Sequence, residues 1–171
     1  MTELMVVVAI LGITAVVAVT GFRSNPTGGA ARKVASMMST AYRVALGAGA
    51  TSGICTARAH LKFSMNGGSF QVTVLRLKEE AGACVEETPY ISAALLDDTV
   101  EIYGLAPQAN TLPGASVSLV SLSTPVDKSY NADGTADGFT VYLRHKYDDN
   151  ATRYRIVGMP LSPAPLVFQD W

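Results

Sequence analysis

Three sets of residues in this chain have the types and spacing that chemistry asks for. Asn131-Ala-Asp133-Gly-Thr135-Ala-Asp137-Gly138 places side-chain oxygens at alternate positions, as a loop wrapping a calcium ion does. The twelfth position counted from Asn131 is Tyr142, where such a loop needs a bidentate Glu. The string is therefore expected to be a polar turn ahead of a strand, with calcium at Asp133 and Asp137 as the alternative. Arg144, His145, Lys146, Arg153 and Arg155 crowd one predicted hairpin, and alternation puts Arg144 with Lys146 and Arg153 with Arg155. Such a hairpin could touch DNA phosphates. The expected reading is a solvated sheet face with Asp148 and Asp149 beside it. Cys55 and Cys84 are the two cysteines. In an oxidising compartment they would pair, and closing that loop would contribute about 3–4 kcal/mol in the chain-entropy model; the alternative is two unrelated thiols. Without Cys-x-x-Cys spacing they make no zinc site.

His60 and His145 are isolated in sequence, and no Ser-His-Asp or Cys-His arrangement has supporting context. Gly47-Ala48-Gly49 lacks the rest of a phosphate-binding fingerprint. No enzyme and no cofactor are expected.

The elements that must position these groups follow from periodicity. Ala31, Val34, Ala35, Met38, Ala41, Tyr42, Ala45 and Leu46 recur at spacings of three and four, with Arg32, Lys33, Ser36, Ser39, Thr40 and Arg43 opposite. This predicts an amphipathic helix over Ala30 to about Ala48, with Met37 off its apolar stripe. From Ala57 to Met65 the period becomes two, with Ala59, Leu61, Phe63 and Met65 on one face and Arg58, His60, Lys62 and Ser64 on the other. Asn66-Gly67-Gly68 predicts a hairpin turn into a strand over Phe70–Lys78. Weaker strands are expected near Val100–Tyr103 and Val117–Ser121. A second hairpin joins Phe139–Lys146 to Arg153–Gly158, and Leu166–Trp171 is an expected edge strand.

The net charge of −1 over 171 residues argues against a strongly cationic nucleic-acid binder. The apolar excess sits at the start. Leu4 to Thr20 carries no charge, and as a helix it would span about 25 Å, the short end of a bilayer crossing. A signal peptide would want basic residues ahead of the run, and Met1-Thr2-Glu3 has none. Arg23, Arg32 and Lys33 all follow it, opposite to the charge asymmetry of a protein whose bulk crosses the membrane. Ser24-Asn25-Pro26-Thr27-Gly28-Gly29 is expected to break the helical spine, through Pro26, Gly28 and Gly29.

Glu3-Leu4-Met5-Val6-Val7-Val8-Ala9-Ile10-Leu11-Gly12-Ile13 resembles the N-terminus of type IV pilins and pseudopilins. In that class a basic leader ends in Gly, followed by Phe-Thr, two more residues, Glu and an apolar helix. Met1-Thr2-Glu3 then stands for the third to fifth mature residues, with the leader and its basic residues upstream. Ala31-Arg32-Lys33-Val34-Ala35-Ser36-Met37-Met38 followed by strands, and the stretch Arg153-Tyr154-Arg155-Ile156-Val157, are closest to the H-type minor pseudopilins (the GspH/FimT family). The resemblance implies a minor pilin or pseudopilin in a type II secretion pseudopilus or type IV pilus, at or near the filament tip. Major pilin subunit and DNA-binding minor pilin are the alternatives, the latter because some FimT-type pilins are DNA receptors. Glu3 would pair with the α-amine of a neighbouring subunit and set assembly register. Partners would be other pilin subunits, an inner-membrane assembly platform and prepilin peptidase.

The fold expected is α+β: a long N-terminal helix, its first half membrane-embedded and its second half amphipathic, packed on an antiparallel sheet or small β-sandwich. Residues 1–22 would form the membrane and filament-core helix, with Leu4, Val8, Leu11, Val16 and Thr20 along it. Residues 23–50 would form the kink and amphipathic helix, and 51–171 a periplasmic β-rich head. The expected location is the bacterial inner membrane, single-pass, and then the filament.

Overall fold

The computed structural model describes residues 25–48, 54–112 and 122–171. Glu3, Leu4, Val8, Leu11, Val16, Thr20 and the strand expected near Val117–Ser121 lie outside them.

One helix is found among the described residues: α1, Pro26–Gly47. Its start corrects the expected break. Asn25 sits at φ −89°, ψ 89°, outside the helical basin, and its side chain accepts from the Gly28 amide at 2.8 Å. Pro26 takes the first helical position, where its missing N–H costs nothing. Pro26, Gly28 and Gly29 are thus the first turn of a helix and not a break in one. The same geometry overturns the long N-terminal helix: a capped N-terminus at Asn25 stops α1 from running on toward lower numbers. The inner-membrane, single-pass location is not supported either: no described helix is long and apolar enough to cross a membrane.

The strands among the described residues are β1 (Ala57–Asn66), β2 (Ser69–Glu80), β3 (Ala83–Glu86), β4 (Ser92–Leu95), β5 (Val100–Ala106), β6 (Val126–Asn131), β7 (Phe139–His145), β8 (Tyr154–Gly158) and β9 (Leu166–Gln169). All pairings are antiparallel, in two sheets. The first runs β3-β2-β1-β6, with β4 also pairing β2; the second runs β5-β7-β8-β9. Gly67 and Gly68 turn the first hairpin at φ +59° and +87°, values that Gly adopts without steric cost. Both predicted hairpins are present, and Leu166–Gln169 is the edge of the second sheet.

The core lies where α1 meets both sheets. Ala31, Val34, Met38, Ala41 and Ala45 face Leu61, Phe63, Val72 and Val74 of one sheet and Phe139, Val141 and Ile156 of the other. Phe63 and Phe139 meet edge to face, with ring centroids 6.0 Å apart, and so join the two sheets directly. Met37, expected off the stripe, is buried with Ser92 Oγ 3.5 Å from its sulfur, while Leu46 is exposed. Two sheets wrap a wider arc of the helix than one would, so the buried face is broader than the stripe.

Candidate functional site

Cys55 and Cys84 are joined by a disulfide, with Cα atoms 5.5 Å apart. The bond ties the segment ahead of β1 to β3. Cys84 stands opposite Glu79 and Glu86 opposite Leu77, on the side of the first sheet away from the core.

Among the described residues, that outer side brings His60, Glu86 and Asp127 together. Ala59, Leu61 and Phe63 point inward and are fully buried, so His60 and Lys62 alternate outward along β1. Glu86 reaches over β2 from β3 to meet them. His60 Nδ1 lies 3.2 Å from Glu86 Oε1, and Lys62 Nζ donates to both Glu86 oxygens at 3.0 and 2.7 Å. Asp127, opposite Lys62 on β6, brings a carboxylate oxygen within 3.9 Å of the same ammonium. Partial burial pushes the Glu86 carboxyl up, and hydrogen bonds from Lys62 and His60 outweigh it and leave the group below its usual value. The hydrogen bond to Glu86 likewise raises Lys62 above the ordinary lysine value, against the desolvation that lowers it. Lys62 therefore stays charged and Glu86 ionised across the physiological range.

Arg58 is nearly inaccessible, at 4% exposure, at the bulge between β1 and β6. Its Nε and one terminal nitrogen are buried without a hydrogen-bond partner among the described residues.

The basic hairpin is real as backbone, but its cations are occupied. The pairing of Tyr142 with Arg155 puts Arg155 on the Arg144 side of the second sheet. Arg144 hydrogen-bonds Glu101 and lies 4.3 Å from the Tyr103 ring. Arg155, 3% exposed, donates to the Leu112 and Thr111 carbonyls and packs over Phe168. Arg153 lies 5.5 Å from the Trp171 ring, and Lys146 donates to the Gly68 carbonyl at 3.2 Å. Phosphates approaching this hairpin would meet cations already engaged.

The alternating-oxygen string folds as a turn. Asp133 Oδ1 accepts from the Thr135 amide and hydroxyl at 2.9 and 2.7 Å, and Asp137 Oδ2 accepts from the Ser129 amide at 2.9 Å. Gly134 at φ +84° closes it beneath the Tyr42 hydroxyl. These oxygens serve the backbone.

An open cleft of about 660 Å³ lies at the α1 N-terminus, lined by Asn25, Thr27, Asp97, Asp98, His145 and Asp148 among others. Asp97 and Asp148 each turn an oxygen onto a nearby backbone amide, from Thr99 and Asn150.

No family model, no curated protein and no solved structure matches the chain.

Sequence reasoning set His60 apart as isolated and passed over Glu86 and Asp127. The outward positions of His60 and Lys62 were readable from alternation. Their acidic partners were not, because they arrive from β3 and β6, short strands whose places depend on long-range pairing.

Proposed function

We propose that the chain is a structural subunit of a pilin-like filament, a minor pilin or pseudopilin of a type II secretion pseudopilus or type IV pilus. The observation that carries this reading is the order of its parts. Glu3 and the uncharged run Leu4–Thr20 precede a helix whose inner face is locked into a β-rich head. The apolar run supplies surface that subunits bury against one another. A carboxylate at its start is too costly to bury unpaired, so Glu3 pairs with the α-amine of a neighbour and sets the register. The outer side of α1, with Arg32, Lys33, Ser36 and Arg43, is left polar and exposed.

The disulfide supports the reading, since such bonds persist in oxidising surroundings where extracellular filaments work. So does the engagement of the hairpin arginines, which favours a packing role over DNA capture. The test is incorporation of the full chain into filaments sheared from cells that assemble them. Wild type is expected in the filament fraction and Glu3→Ala depleted from it; equal recovery of the two overturns the assigned role.

A further inference from the structure

We propose that His60, Glu86 and Asp127 form a site for a divalent transition metal of the zinc class on the outer face of the first sheet, with Lys62 as its built-in competitor. The inference is independent of the filament reading.

One donor atom from each of the three residues lies within 4.8 Å of the other two. They come from three different strands, β1, β3 and β6, so the sheet fixes their spacing. Tetrahedral zinc with nitrogen and oxygen ligands holds those atoms about 3.4 Å apart. The His60–Glu86 separation of 3.2 Å already matches. Asp127 must move inward, and its side chain is free to do so at 41% exposure. An imidazole with two carboxylates selects zinc or copper over calcium and magnesium, which prefer all-oxygen shells. Two carboxylates and a neutral imidazole also balance a charge of +2, and water completes the shell.

A second observation comes from Lys62. Its ammonium sits 2.7 Å from Glu86 and 3.9 Å from Asp127, so the two acids already converge on a cation. The metal takes the ammonium's place once the flexible Lys62 side chain swings out to solvent. That competition makes the wild-type site weak and makes Lys62 the residue that sets its affinity.

The experiment is calorimetric titration of the full chain with Zn²⁺, alongside Co²⁺ absorption to read the geometry. Wild type is expected to bind one Zn²⁺. Lys62→Met should tighten binding by about 10–100-fold, the scale on which neighbours tune metal sites. His60→Ala should abolish it, while Glu86→Gln and Asp127→Asn weaken it and His145→Ala leaves it unchanged. A gain in Lys62→Met cannot arise from misfolding, which protects the test from unstable variants. The proposal is overturned if neither wild type nor Lys62→Met binds Zn²⁺, or if binding survives His60→Ala.

Discussion

Asn25 does two jobs with one side chain. Its oxygen caps α1 through the Gly28 amide, and its nitrogen donates to the Tyr154 hydroxyl at 3.0 Å, fastening the start of the helix to β8. Asn25→Ala should lower unfolding stability by about 1 kcal/mol or somewhat more, read by denaturant titration. Gly28 beside it is tightly placed: an added Cβ would sit 3.0 Å from the Tyr154 oxygen, and the hydroxyl that Asn25 bonds would have to shift. Asp97 offers a pH-dependent case. Its carboxyl is held below the usual range by hydrogen bonds from the Thr99 hydroxyl and then the Thr99 amide. A folded-state pKa below the unfolded one means the stabilisation is present above about pH 4 and is lost as pH falls through the folded value. Wild type should therefore exceed Asp97→Asn in melting temperature at pH 7, and the gap should close below pH 4. A gap that widened in acid would contradict the arrangement.

At the scale of elements, the disulfide and the helix explain most of the architecture. Cys55 and Cys84 are 29 residues apart, and their bond keeps the chain ahead of β1 against the short β3. Changing both to Ser should cost about 3–4 kcal/mol and leave α1 and the second sheet intact. Denaturant midpoint and near-ultraviolet circular dichroism would check this. Much here was legible in the sequence. Gly67-Gly68 announced the first hairpin, and the alternation of Ala59, Leu61 and Phe63 fixed which side of β1 meets the core. The helix was legible in period, though its first turn was not. Pro26, Gly28 and Gly29 are weak helix formers read alone, and a cap from Asn25 reverses that reading. β3, β4 and β6 were missed for a different reason. Each is short, half exposed and specified by its partner strand more than by its own pattern.

For the whole molecule, the two sheets and α1 share one apolar core, so the described part behaves as a single packed head. Site chemistry was harder to foresee than fold. The basic hairpin looked like one patch because sequence shows proximity without occupancy. In space its arginines are spent on Glu101, two backbone carbonyls and three aromatic rings. The reverse holds for His60, which looked isolated and is in company. The disulfide and the engaged hairpin arginines are what support the proposed packing role among neighbours. Glu3 is proposed to register this chain among filament subunits. The most direct measurement is the amount of full-length chain recovered in sheared filaments, wild type against Glu3→Ala, at matched total protein. A depletion of about tenfold or more is predicted, from a pairing interaction exceeding 1.4 kcal/mol in buried apolar surroundings. Recovery equal to wild type would contradict the account.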